Sequence, residues 1–152
     1  VKQIGKPLKM FIILKQKENY KGVKYLIDKG IDKFQFENQF FHFKSGQKTP
    51  KSFSNNPNII CLDESKIEFP LILRHWKEGD YFHPIGMGGK RKKLSDFFTD
   101  LKLSRFEKEE VWILESDSKI CWVVGYRMDE RFKISNKTKS CLIVIFFDSE
   151  VH

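Results

Sequence analysis

Apolar and polar positions alternate with a period of two through most of this chain, a pattern that predicts strands far more often than helices. Lys9–Leu14 (KMFIIL) is an apolar run of strand length, and Val23–Asp28 reads as another strand. Phe34 and Phe36 alternate with polar residues, as do Phe41 and Phe43 after a break in phase, which predicts a half-buried strand or hairpin. Lys44–Asn58 (KSGQKTPKSFSNNPN) is rich in Gly, Ser, Asn and Pro and reads as loop, either a domain boundary or a long surface connection. Ile59–Leu62 and Ile67–Trp76 read as strands, with Pro70 confined to an edge or a bulge. Val111–Leu114 and Ile120–Val124 predict a hairpin around a Ser-Asp-Ser turn. Ser140–Phe147 is a continuous apolar strand suited to burial on both faces.

Helical signals are brief. Ser95 is placed to N-cap a short helix from Asp96 to about Lys102, with Asp96 favourable near its positive end. Ser104 and Glu107 have capping-box spacing, so a second helical turn starts there. The fold class is therefore mostly β with one or two short helices (α+β), without internal repeats. At 152 residues the chain reads as one domain, with residues 1–43 a β-rich lead-in, 44–58 the loop and 59–147 the motif-bearing core. Fifteen Phe and three Trp supply bulky core material, and a chain of this size buries about 68–70% of its unfolded surface. The missing initiator Met suggests an excised fragment.

Composition removes several function classes. Cys61, Cys121 and Cys141 cannot pair completely and each sits in an apolar run, which suits reduced core cysteines in a cytoplasmic protein. The longest apolar run, Cys141–Phe147, is strand-sized, so no membrane span is expected. Val1–Met10 mixes lysines with Gly and Pro, unlike a signal peptide. His42, His75, His83 and His152 show no ligand spacing, so no metal site is expected. Net charge is +8, all of it carried by residues 1–60, while residues 61–152 balance. A basic chain suggests a polyanionic partner, although scattered lysines usually just solvate a surface.

Local clusters carry more than the total. Gly86-Met87-Gly88-Gly89 precedes Lys90, Arg91, Lys92 and Lys93. Glycines let backbone N–H groups approach an anion and the cations add charge, yet the spacing is not that of a Walker A loop. A solvated basic turn is the equal alternative. Arg127 follows a glycine at a strand end, and Arg131 and Lys133 come soon after; Arg grips phosphate bidentately, but Asp129 and Glu130 are ready ion-pair partners. Arg74 ends a strand near Gly79-Asp80, where Asp80 is expected to lock structure. Asp96 and Asp100 have i, i+4 spacing, explained by a cap and a solvated face. Trp76 and Trp122 sit in apolar strands and read as core. A hydrolase using Asp80, His83 and Asp96 would need those side chains to converge.

Leu71-Ile-Leu-Arg-His-Trp, Gly79-Asp80, Phe82, Pro84-Ile-Gly-Met, Gly89-Lys-Arg-Lys-Lys-Leu-Ser-Asp96, Asp100-Leu-Lys102, Trp122-Val-Val-Gly-Tyr-Arg127, Asp129-Glu-Arg-Phe-Lys133 and Thr138-Lys139 form an ordered series. The series resembles the C-terminal domain of bacterial tRNA(Ile)-lysidine synthetase and covers about half the chain. One departure is Ser104, Arg105 and Lys108, where relatives often carry Pro and a further Arg after the helix. The resemblance implies a three-layer, β-sandwich-like fold similar to a domain of the phenylalanyl-tRNA synthetase β subunit. It implies a parent ligase that adenylates the wobble cytidine of isoleucine tRNA with ATP and Mg, then joins lysine to it. That chemistry would belong to an N-terminal domain with an SGGxDS motif, which this sequence lacks, so the chain itself is expected to need no cofactor and not to catalyse. Its implied role is to dock the tRNA(Ile) acceptor stem. The expected contacts are Lys90, Arg91, Lys92, Lys93, Arg127, Arg131 and Lys133, with Arg74 and Lys102 as further candidates. The rival reading is a non-catalytic dimerisation or scaffold domain, a homodimer or a partner of the N-terminal domain, with solvated basic loops.

Overall fold

The computed structural model describes residues 22–52 and 54–148, so the run Lys9–Leu14 and His152 lie outside the described residues. In chain order the strands are β1 (Lys24–Ile27), β2 (Lys33–Phe36), β3 (Gln39–Gln47), β4 (Ile59–Asp63), β5 (Leu71–His75), β6 (Tyr81–Phe82) and β7 (Lys92–Lys93). Two helices follow, α1 (Leu94–Asp100) and α2 (Arg105–Glu109), then β8 (Trp112–Ser116), β9 (Lys119–Val123), β10 (Arg127–Met128) and β11 (Cys141–Asp148).

Two antiparallel sheets stack. The first has the order β1-β5-β8-β9-β10 and the second β2-β3-β11-β4, while β6 and β7 pair separately. Between the sheets lie Tyr25, Ile27, Leu73, Leu114 and Trp122 from one side and Phe34, Phe41, Phe43, Leu62 and Val144 from the other. Trp112 anchors this layer, its ring edge-on to Phe34, Phe36 and Phe41. Such aromatic contacts add roughly 0.5–1.5 kcal/mol each beyond burial. On the opposite face of the first sheet, Ile113, Ile120 and Val123 pack on Phe82, Leu94, Phe97 and Phe98. Three layers result: sheet, sheet, then α1 with the β6–β7 pair.

Several expectations need correction. The loop does not begin at Lys44: β3 continues to Gln47, where Cys141 pairs with it, although the side chains there are mostly exposed and show no period. The expected strand Ile67–Trp76 is shorter: a 3-10 turn at Glu64–Lys66 precedes it, and pairing runs only from Leu71 to His75. Strand β11 lies between β3 and β4 but is not buried on both faces; Ile143, Ile145 and Phe147 are only half-buried. Ser95 does not cap α1. The helix begins at Leu94 behind Lys93, which makes no side-chain cap, and the Leu94 N–H donates to the Asp80 carbonyl instead. The Ser104–Glu107 capping box does form, with both reciprocal bonds present. The β8–β9 hairpin turns through Asp117 and Ser118, both in the left-handed region that a two-residue turn requires.

Glu64 clasps the second sheet. Its carboxylate accepts from Gly46 N–H at 2.8 Å, from the Ser140 hydroxyl at 2.9 Å and from the Ser45 hydroxyl. Burial works to raise its pKa, but these hydrogen bonds outweigh it and hold the carboxyl below its ordinary value. A carboxyl with a depressed folded pKa contributes stability above its unfolded pKa and loses it as pH falls through the folded value. Glu64→Gln should therefore flatten the loss of stability as pH falls below the ordinary glutamate value of about 4.3, read from urea midpoints on either side of it.

Candidate nucleic-acid interface

The basic face starts from a buried charge. Arg74, 6% exposed, lies on the face of β5 away from Leu71 and Leu73. Its Nε donates to Glu115 at 2.7 Å, and Nη1 and Nη2 donate to the two Asp80 oxygens at 3.0 and 3.1 Å. Burial opposes its charge, yet the Asp80 and Glu115 hydrogen bonds raise its pKa further above the ordinary value. Asp80 also accepts from Lys77 N–H at 2.8 Å, which closes the turn before β6. Arg74 is thus held by both carboxylates, and it fixes where the basic loop begins.

Pairing of β6 with β7 then sorts the cluster. Tyr81 opposes Lys93 and Phe82 opposes Lys92. Because successive side chains point to opposite faces, Lys92 follows buried Phe82 toward α1, where its ammonium meets Asp100 at 2.5 Å. Arg91 and Lys93 fall on the other face with exposed Tyr81, and the Arg91 guanidinium lies 4.7 Å from the centre of that ring. Gly88 and Gly89 both have φ in the left-handed region, so the loop turns sharply enough to bring Lys90 beside them.

The second cluster is fastened to the first. Ile85 N–H donates to the Met128 carbonyl at 3.0 Å and Glu130 N–H to the His83 carbonyl at 2.7 Å. Fully buried Asp129 accepts from His83 N–H at 2.8 Å and from Arg131, N–H at 2.8 Å, Nε at 2.9 Å and Nη2 at 3.0 Å. Arg131 is therefore an ion-pair partner. Lys133 meets Glu130 at 2.5 Å, and that ammonium with the Gly86 N–H lowers the Glu130 pKa. Arg127 is different: it is exposed and its guanidinium lies 5.8 Å from the Phe97 ring centre.

Nine candidates thus divide. Lys90, Arg91, Lys93, Lys102 and Arg127 make no ion pair with a described residue; Lys92, Arg131 and Lys133 each hold an acid, and Arg74 holds two. Lys102 stands apart beyond the end of α1, in the left-handed region at φ 59°. Sequence reasoning missed the aromatic seats Tyr81 and Phe97, and missed Asp129 as the clasp between loops. Only the Arg131–Asp129 spacing gave any signal of that clasp.

The three residues considered for hydrolysis do not share a contact. Asp80 is taken by Arg74, His83 leans on Asp129 at 3.8 Å, and Asp96 is exposed in the first turn of α1. Burial, then a Cys141 contact, pushes the Cys61 thiol up to about 12, far from thiolate chemistry at neutral pH. Among the described residues no group of three His, Cys, Asp or Glu side chains is placed to hold a metal ion, and no helix is long and apolar enough to cross a membrane.

The result is a β-rich domain that carries cations on two segments joined by backbone hydrogen bonds. Residues 71–145 match the family model described as the TilS substrate C-terminal domain. The tRNA(Ile)-lysidine synthase of Parabacteroides distasonis is 58% identical over 91 residues, 60% of this chain. That of Caldanaerobacter subterraneus subsp. tengcongensis is 30% identical over 142 residues, 90% of this chain. A crystal structure of a TilS C-terminal domain shares the fold, with a TM-score of 0.69 at 20% identity over 82% of this chain and 97% of that one. The chain belongs to the TilS substrate C-terminal domain family. Its matches span 20% and 30% of the length of those two relatives.

Proposed function

We propose that this domain docks the acceptor stem of an isoleucine tRNA through Lys90, Arg91, Lys93 and Arg127, within a parent enzyme that ligates lysine to the wobble cytidine. The observation that supports this reading is the pair of arginines resting on aromatic rings, without acid partners among the described residues, on two segments sewn together by hydrogen bonds. Duplex RNA offers phosphates and 2′-hydroxyls along a shallow minor groove, and fixed cations at spaced positions suit that pattern. Phosphate contacts of this kind set position and register and leave sequence to a few base contacts. Lys92, Arg131 and Lys133 add field strength but must exchange an acid before touching phosphate, and Lys102 would act at the margin. The ATP-dependent step, with its Mg, belongs in this reading to a separate N-terminal domain.

A salt titration with an acceptor-stem minihelix tests the reading. If the four unpaired cations each neutralise a phosphate, log affinity should fall with log salt at a slope of about 3. A scaffold role is favoured by one observation, the exposed Phe106 and Leu101 near the α1–α2 corner, at 72% and 42%. Absent or salt-insensitive RNA binding would move the assignment to that protein-packing role.

A further inference from the structure

One edge of the sandwich is formed by β4, the last strand of the second sheet, and β10, the last of the first. A cleft of about 930 Å³ opens there. Its floor is apolar, with Ile59, Ile60, Met128, Ile134 and Ile143 around Trp122. Gly86, Gly88, Arg127 and the Lys133–Glu130 ion pair also line it, so it adjoins the basic segments directly, with Arg127 the cation that no described acid holds. Trp122 is fully buried, and its indole N–H has no acceptor among the described residues. The other two indoles are satisfied: Trp76 donates to the Lys108 carbonyl at 2.7 Å and Trp112 to Gln39 at 2.8 Å. An indole nitrogen only donates, and a buried donor left unpaired is costly.

We infer that this cleft receives an unpaired nucleotide of the docked RNA, its base against the apolar floor and its phosphate toward Arg127. The inference rests on reading the neighbouring face as an RNA-docking surface. An apolar slot beside a cation selects a flat, weakly polar group joined to a phosphate, and a base edge carries the oxygen or nitrogen acceptor that Trp122 lacks. An apolar peptide side chain would supply neither the acceptor nor the negative charge. Stacked bases within a duplex cannot enter such a slot, whereas unpaired ends are the usual target of base-level RNA recognition. A tRNA acceptor stem ends in unpaired 3′ nucleotides, next to the phosphates that the basic face would hold.

Three RNA hairpins of one stem sequence test this with the 152-residue chain: blunt, with a short unpaired 3′ extension, and with the same extension built from abasic nucleotides. The abasic form keeps the phosphates and removes the bases. The extension with bases should bind roughly tenfold tighter than the abasic one, as one stacked base warrants. In ¹⁵N spectra the Trp122 indole signal should move with the base-bearing extension alone, while Trp76 and Trp112 stay put. Ile134→Asp should erase the tenfold gain and keep the affinity for the blunt hairpin. Equal binding of the base-bearing and abasic forms with Trp122 unmoved, while the blunt stem still binds, overturns the cleft and leaves stem docking intact. If no hairpin binds, stem docking fails, and the response of Trp122 to the free extension oligonucleotide decides the cleft: movement supports it and silence overturns it. A Trp122 signal that answers only to the parent enzyme's N-terminal domain makes the cleft a protein site and also overturns the inference.

Discussion

Arg91→Glu with Arg127→Glu should weaken binding of an acceptor-stem minihelix by roughly a hundredfold or more while leaving the fold intact. Neither arginine pairs with an acid among the described residues, and each lies against a ring, Tyr81 or Phe97, so exchange would remove a proposed phosphate contact without orphaning a buried carboxylate. A hydrogen bond to a charged group contributes about 1.5–3 kcal/mol, and two such losses multiply to that range. The salt slope should fall by about half, since two of the four free cations are gone. Unchanged affinity in a filter-binding titration, with an unchanged urea midpoint, would place the RNA elsewhere or nowhere. Lys92→Glu with Arg131→Glu is the poorer experiment. Arg131→Glu sets a second carboxylate against Asp129, and Lys92→Glu does the same to Asp100, so both report on folding.

Arg74→Met should cost about 3–5 kcal/mol of stability, the largest effect expected from a single exchange here. Asp80 and Glu115 would be left at 8% and 11% side-chain exposure with no guanidinium between them. Breaking one member out of a buried charged group is far worse than replacing the whole group with apolar side chains. The damage should also be local. The Asp80 carbonyl receives the Leu94 N–H at 2.9 Å, so amide exchange at Leu94 should quicken as the turn loosens. A shift of the urea midpoint equivalent to under about 1 kcal/mol would show that the triad is exposed enough to be solvated, contrary to its burial.

Much of the architecture was legible because it rests on burial, which leaves a period in the sequence. Phe34, Phe36, Phe41 and Phe43 kept the alternation on either side of the β2–β3 turn, and the phase break marked the turn itself at Glu37, φ 55°. Where backbone pairing runs on without side-chain burial, as at Lys44–Gln47, the period vanishes and the strand reads as loop. The start of α1 was misplaced by two residues for a related reason: a main-chain carbonyl from Asp80 satisfies its first N–H, and no residue type encodes that. For the site, Arg74 with Asp80 and Arg131 with Asp129 are close in sequence and could be weighed. Glu115 could not, since it reaches Arg74 from 41 residues away across the β5–β8 ladder. Tyr81 and Phe97 were equally hidden. Their contacts with Arg91 and Arg127 depend on tertiary packing, and in the first case on a two-residue ladder.

A phosphate arriving as proposed would find no acid among the described residues to evict at Arg91 and Arg127. At Lys92, Arg131 and Lys133 a carboxylate must first be shouldered aside, and once released it repels the very ligand that displaced it. An aromatic perch narrows the swing of a guanidinium and leaves its full charge on offer, so association at these two points should proceed without a gate. The domain would then seize its rail at two ungated grips and let the acid-bound lysines and arginine adjust afterwards.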